Sequence, residues 1–503
     1  MTFRRQSRMG PRILAFIALV LVVLAVGKVI LERRASTVSG TVYDEYTGAP
    51  LAGAVVRWDT LETRTNAAGR FTLIGVNKAL RDKPIVLSAD EHASLDMPSN
   101  LDEAKLYLRP DTISGTVSDK AGKPIPGTRV VSGTVSAQAD AQGKFYLKGV
   151  SQDPKIRVAA PGYRVVTLQP GRQQRVEVRL EPLVVRGLYI GFGTMALPER
   201  REAALREAER FGLNAVVLDI KSDRGLVNSE LATPLSEGIG ASVKQSYDLA
   251  ATPRDLKARG FYTIARLVVF KDRFLGLAHP EIAVHEDGKL YLDCEDQHWL
   301  DPFSEKAWDY NLDLAQNAAR MGFDEIHFDY LRFPSDCVQG SLTYSQEVTS
   351  ESQRAAIEGF LERAHQRLRP LGVSLSAAVF GLTTVQDDIG IGQFIGDIAR
   401  HVDYVSPMVY PSTWRSGAFD SEYPAAEPYR IVKLSVGSAV ERLKDTGAKV
   451  RPWLQAFNDY KARQLPYGWS EIETQIKAAQ EAGALGWLLW NPAADYSLGS
   501  PLP

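Results

Sequence analysis

The chain has 503 residues, a formal net charge of -1 and a pI near 6.7. More than one domain is expected at that length, and a nucleic-acid-binding function, which normally needs a basic domain, is excluded. Cys294 and Cys337 are the only cysteines, which excludes a disulfide-rich scaffold and a cysteine-cluster metal site.

Residues 13–27, ILAFIALVLVVLAVG, are apolar without a break, and Arg4, Arg5, Arg8 and Arg12 precede them. This is the layout of an export signal whose basic flank stays cytoplasmic. Two outcomes are open. A single-pass transmembrane anchor is favoured, because the span nearly reaches the ~20 residues a bilayer needs and Lys28 can snorkel to the interface. A signal cleaved after the small residues Ala25-Val26-Gly27 is the other. Both leave the bulk of the chain periplasmic or extracellular, and the anchor would tie it to the inner membrane. Residues 1–35 are assigned to this segment.

An internal repeat with an offset of 74 to 75 residues follows. Ser39-Gly40-Thr41-Val42 recurs as Ser114-Gly115-Thr116-Val117, and Asn66-Ala67-Ala68-Gly69-Arg70-Phe71 recurs as Asp140-Ala141-Gln142-Gly143-Lys144-Phe145. Short alternating strands between Gly, Pro, Asn and Asp turns predict two small all-β sandwiches, at 36–110 and 111–182. The pattern resembles the carboxypeptidase regulatory-like domain, a transthyretin-like sandwich, over nearly all of each repeat. That resemblance implies a spacer that lifts the next domain from the membrane. Sugar binding by the modules is the second reading. Both modules are expected to be dispensable for chemistry.

From 183 to 503 apolar β-branched runs alternate with helix-period segments, which predicts βα units. Eight strand runs are read, at 187–192, 215–221, 262–270, 325–333, 374–381, 404–410, 450–457 and 486–491. Helices are expected at 199–211, 304–321, 351–368, 429–444 and 470–482. Gly212, Gly260, Gly322, Gly372, Gly447 and Gly483 stand where helix C-caps belong. Eight repeats in about 320 residues fit a (β/α)8 TIM barrel. No Gly-rich phosphate loop follows the first strand, which argues against an open nucleotide-binding sheet. The predicted fold is therefore multidomain: a transmembrane helix, two β-sandwiches, then the barrel.

Active sites of such barrels sit at the C-terminal ends of the strands. The fourth run, EIHFDYLRFP, ends its apolar stretch on Asp329, followed by Arg332. The second run ends with Asp219 and Lys221, two residues apart and so expected on one face. Arg266 comes from the third run, with Lys271 and Asp272 beyond it. Asp388 lies in the Gly-rich loop after the fifth. Tyr410 ends the sixth, Trp453 and Gln455 lie on the seventh, and Trp490 and Asn491 end the eighth. Acids, cations, amides and aromatics together suit sugar recognition, and glycoside hydrolysis needs two carboxyls flanking the bond.

The blocks GLNAVVLDIKSDRG, FYTIARLVVFKD, WLDPFSEKAWDYN, GFDEIHFDYLRFPSD, DDIGIGQ, DYVSPMVYPS, RPWLQAF and GWLLWNP, in this order from about Val185 to Tyr496, resemble a bacterial family of glycoside-hydrolase type catalogued as a domain of unknown function. The resemblance implies a barrel glycosidase. One departure is notable. The family's fifth-strand block usually reads SADVFG, and this chain has Ala378 in place of the acid.

Asp329 is read as the carboxylate that attacks or stabilises the oxocarbenium-like centre, with Asp219 or Asp388 as partner acid. Lys221, Arg266, Lys271, Asp272, Arg332, Tyr410, Trp453, Gln455, Trp490 and Asn491 are read as substrate-binding, and the cations suggest an acidic polysaccharide. No metal or cofactor is expected. His279, His285 and His298 have no metal-ligand spacing. Cys294 and Cys337, on adjacent loops, could form a disulfide in an oxidising periplasm. Two alternatives stand beside the hydrolase: a non-catalytic polysaccharide-binding scaffold, motivated by Ala378, and a metal-dependent deacetylase.

Overall fold

The structure, a computed structural model, describes residues 36–76, 80, 83–97, 104–387 and 389–497. The expected anchor at 1–35 and Asp388 lie outside the described residues. Among the described residues no helix is long and apolar enough to cross a membrane.

Contacts divide the chain into two units. The first holds the leading β module. Its sheets run Arg70–Val76, Ser36–Asp44, Ala104–Leu108 and Leu61–Arg64, Val55–Trp58, Ile85–Ser88, Leu95–Met97. Along Arg70–Val76 buried and exposed residues alternate for most of the strand. That period of two sends Phe71 and Leu73 inward, where they join Val56, Trp58, Ile85, Leu87 and Leu106 in one core.

The second unit holds residues 116–145, 156–168 and 178–503, so by contacts most of the second module groups with the barrel. The reason is a set of buried polar contacts. A four-stranded antiparallel sheet of this module, Val135–Gln138, Arg129–Ser132, Ile156–Ala159 and Val166–Leu168, packs beneath the barrel. Arg129 Nη1 meets Asp403 Oδ1 at 2.7 Å, with both side chains buried. Its Nη2 donates to Val373 O at 3.1 Å. Gly162 N donates to the Tyr404 hydroxyl at 2.8 Å.

The barrel is closed. Its strands are β1 (Arg186–Ile190), β2 (Ala215–Lys221), β3 (Tyr262–Val268), β4 (Glu325–Asp329), β5 (Ser374–Phe380), β6 (Tyr404–Met408), β7 (Trp453–Gln455) and β8 (Trp487–Trp490). All neighbours pair parallel, and β1 pairs with both β2 and β8. A barrel helix follows each of the first seven strands, with short extra α-helices after the first three: α1 (Pro198–Arg210), α2 (Thr252–Ala258), α3 (Glu305–Met321), α4 (Ser350–Leu368), α5 (Ile395–His401), α6 (Pro428–Leu443) and α7 (Trp469–Glu481). In α3 the Ser304 hydroxyl caps the start by accepting from Ala307 N. Gly322 ends it at φ 102°, a left-handed conformation that suits glycine. Between the caps Trp308, Leu312, Ala315 and Ala319 recur at helical spacing and are buried.

Two strands are shorter than their apolar runs. β4 stops at Asp329 because Tyr330 has φ 48°, outside the extended region. The seventh run breaks into Lys449–Val450 and Trp453–Gln455, with Pro452 between them unable to donate to a ladder.

Candidate active site

Side chains on alternate strand positions fill the barrel in layers. β4 supplies Glu325, His327 and Asp329, one to each layer. At the bottom Glu325 is ion-paired with buried Arg451, and Tyr262 Oη donates to it at 3.1 Å. In the middle Trp453 Nε1 donates to His327 Nε2 at 3.1 Å. His327 Nδ1 must then carry the proton, which it gives to Ser376 Oγ at 2.6 Å. Ser376 in turn donates to Glu325 at 2.5 Å. Burial depresses the His327 pKa to about 3, so the ring is neutral.

The top layer is the candidate site. Arg266 from β3 lies between two acids. Its Nη1 is 2.6 Å from Asp219 Oδ1. Its Nε and Nη2 are 2.8 and 2.7 Å from Asp329 Oδ2. Asp219 Oδ2 accepts from Tyr189 Oη at 2.6 Å and from Phe192 N at 3.3 Å. Asp329 Oδ1 accepts from Tyr330 N at 2.7 Å, a contact made as the chain turns at Tyr330. The guanidinium also lies 5.0 Å from the Trp490 ring centroid, and Trp490 stacks on Tyr189 at 4.2 Å. Burial raises both carboxyls, yet the outcomes differ. Asp219 stays above its ordinary value. For Asp329 burial is again the largest single effect, but the Arg266 charge and the hydrogen bonds from Arg266 and Tyr330 N act together against it, and its pKa is lowered.

Two cavities open here. One, of about 330 Å³, is lined by Arg266, Asp329, Arg332, Tyr410, Trp453 and Trp490 among others. The other, of about 400 Å³, lies on the Asp219 side. Both are lined by Arg266, Tyr330 and Trp490, so they form one trough crossed by the guanidinium.

The structure thus brings together Asp219, Arg266, Asp329, Arg332, Tyr410, Trp453 and Trp490. Others lie elsewhere. Lys221 does not share a face with Asp219, because the β2–β3 register shifts between the two residues. Its ammonium turns behind the strand to Asn311 Oδ1 at 2.9 Å, two backbone carbonyls and Asp272 at 2.8 Å. Asp272 is also the N-cap of the short helix Arg273–Ala278. Lys271 is held by Asp293 at 3.0 Å and Glu295 at 2.5 Å. Gln455 braces Ser412, and Asn491 braces a turn through Ala456 O, Asp495 O and Ala493 N. In the structure these side chains are all engaged with neighbouring groups of the barrel. The expectation of an acidic substrate weakens for the same reason. Arg332 pairs with Asp336 at 2.6 Å, so Lys221, Arg266, Lys271 and Arg332 all carry carboxylate partners.

Sequence reading missed Tyr189, whose position on β1 has the parity of the interior. It also missed Glu295 and Asp336, which line the smaller cavity from long loops. Cys294 and Cys337 are disulfide-bonded across a separation of 43 residues, directly beside those two acids. Ala378 is buried among Tyr189, Tyr410, Trp453 and other apolar interior residues. Among the described residues no group of three or more His, Cys, Asp or Glu could hold a metal ion, so the deacetylase reading has no ligand set there.

Residues 187–496 match the family described as "putative glycosyl hydrolase domain". The chain belongs to this family. Residues 112–181 match the carboxypeptidase regulatory-like domain. Among solved structures, a hypothetical protein from Ruminiclostridium thermocellum is 36% identical, over 38% of this chain and 96% of that one, with a TM-score of 0.34. The glycoside hydrolase domain of PgaB (BpsB) from Bordetella bronchiseptica is 13% identical over 62% of this chain and 95% of its own, with a TM-score of 0.45. A variant of the glycoside hydrolase domain of PelA from Pseudomonas aeruginosa is 15% identical over 63% and 98%, with a TM-score of 0.37. No curated protein matches the chain.

Proposed function

We propose that the protein is an exported glycoside hydrolase acting on an envelope or extracellular polysaccharide, tethered to the inner membrane by its N-terminal segment. The observation that carries this reading is the pairing of Asp219 and Asp329 on one guanidinium at the open end of the barrel. Their environments drive the two pKa values apart, and such a split is how acid and base roles are divided. Asp329, ionised, faces the developing oxocarbenium centre. Asp219, raised by burial, is the partner that carries a proton to the leaving oxygen. A disulfide at Cys294–Cys337 suits an oxidising compartment, in keeping with export. The test is a screen of envelope and extracellular polysaccharides for released oligosaccharides, with Asp329→Asn beside the wild type. Release by the wild type alone supports the reading.

A second reading, a polysaccharide-binding scaffold without turnover, draws on Ala378 in its apolar surroundings. It predicts binding with no release by either protein.

A further inference from the structure

Beside the charged trough lies a larger cavity of a different chemistry. It measures about 890 Å³ and joins the smaller mouth cavity through Phe380, Met408 and Tyr410, which line both. Leu382, Val385 and Ile389 come from the segment after β5, and Trp414 and Phe419 from the segment after β6. Leu382 and Val385 are 42% and 43% exposed, high for aliphatic side chains with no covering element. Arg415 is the single charged residue lining this cavity among the described residues. The smaller mouth cavity next to it, by contrast, is lined by three acids and two arginines.

The cavity is also built at a conformational cost. Phe419 has φ 50° and ψ 37°, a left-handed conformation that is unfavourable for an L-residue with a bulky side chain. Its ring centroid comes to 4.9 Å from that of Trp414, and both rings line the cavity. On the opposite wall Gly381 permits the two segments to meet, since a Cβ there would lie 2.4 Å from Met408 O.

We infer that this groove is a sugar-binding subsite for uncharged residues carrying methyl groups, such as acetamido or deoxy sugars, next to the bond that is cut. The inference rests on the hydrolase reading only for the words "bond that is cut". Aromatic rings stack on the apolar faces of pyranoses, and the aliphatic wall adds contacts that reward a methyl group and gain nothing from a hydroxyl. An anionic sugar would lose hydration against Leu382, Val385 and Ile389 without a partner other than Arg415. The volume holds more than one ring, and its continuity with the trough lets one oligosaccharide occupy both.

The test is calorimetric titration of the full-length chain with three tetrasaccharides, of N-acetylglucosamine, glucose and galacturonate, and a parallel assay of turnover. The expected order is N-acetylglucosamine over glucose by about tenfold in Kd, equal to about 1.4 kcal/mol, with galacturonate weakest. Phe419→Ser and Leu382→Ser should each abolish that preference with an unchanged melting temperature. Equal affinity for all three sugars, preference for galacturonate, no binding of the N-acetylated probe at millimolar concentration, or a preference that survives in both variants would overturn the inference. Preferential binding without turnover by the wild type would refute the hydrolase reading and leave the subsite standing.

Discussion

Replacing Asp329 with Asn separates chemistry from scaffolding. The side chain keeps its shape, but Tyr330 N and Arg266 bond different oxygens of Asp329, so the one carbonyl oxygen of Asn serves one of them and its NH2 turns a donor toward the other. What is lost is one negative charge. Against a positive charge developing about 4 Å away, that charge contributes about 4 kcal/mol at an effective dielectric of about 20, or about a thousandfold in kcat. Stability should respond far less. Breaking a buried pair costs about 3–5 kcal/mol when it orphans the partner, but Arg266 keeps Asp219 at 2.6 Å. A cost of about 1–2 kcal/mol remains, which lowers the melting temperature by about 5 °C or less in a unit this large. The double substitution Asp219→Asn with Asp329→Asn leaves Arg266 with no anion and should reach the full penalty. Reducing-end release on a responsive glycan, beside scanning calorimetry, measures both quantities. An Asp329→Asn protein that melts more than 10 °C early yet still cleaves would show that this carboxylate serves the fold.

The neutral His327 predicts acid sensitivity. Its folded pKa of about 3 lies below the unfolded value near 6.5, so its contribution is complete above pH 6.5 and is lost as pH falls toward 3. At pH 4.5 the loss is about 3 kcal/mol, and His327→Gln should flatten the urea-midpoint slope between pH 6.5 and 4.5; an unchanged slope would assign the sensitivity to other groups. Arg129→Met should destabilise the second unit by about 2 kcal/mol, because Asp403 keeps Arg369 at 3.0 Å, whereas Arg57→Met, at an exposed pair with Glu62, should change stability by less than about 1 kcal/mol. Equal effects would mean that the module does not brace the barrel. Replacing Cys294 and Cys337 with Ser removes a closure worth at most about 4 kcal/mol for a loop of this length; the loops bearing Glu295 and Asp336 should loosen, raising KM more than it lowers kcat, and an unchanged KM would separate these loops from substrate.

Much of the barrel is legible because each strand lies in an apolar-rich run closed by a turn, and because Gly212, Gly260, Gly322, Gly372, Gly447 and Gly483 all have positive φ. The approach of Asp219, Arg266 and Asp329 is legible from strand parity. Lys221 is not, since a register shift reverses parity without altering composition. Glu295 and Asp336 are not, since long loops carry no period, and only their neighbours Cys294 and Cys337 mark them. The bracing role of the second module leaves a faint signal. Arg129 stands where the first repeat has Val55, an arginine at an otherwise apolar strand position. Spacer logic hid its meaning, and truncation near residue 181 would leave Asp403 without its shortest ion pair.

The layers of the barrel interior differ in charge balance, and that difference bears on function. At the bottom one acid meets one base, Glu325 with Arg451, and Tyr262 and Ser376 complete the set. Such a layer is neutral and closed, as a structural pair should be. At the top two acids share one base. Fully ionised, that layer carries one surplus negative charge in a buried setting, which a purely structural pair has no reason to keep. With Asp219 raised and Asp329 lowered, the layer is neutral while Asp219 holds its proton. In the proposed reaction it would become negative when Asp219 gave a proton to the leaving oxygen, the moment at which the glycosyl centre would turn positive. The proposed function gives the surplus carboxylate a reason: its charge is costly to the resting fold and would favour a positive transition state, whereas a scaffold would gain nothing from it.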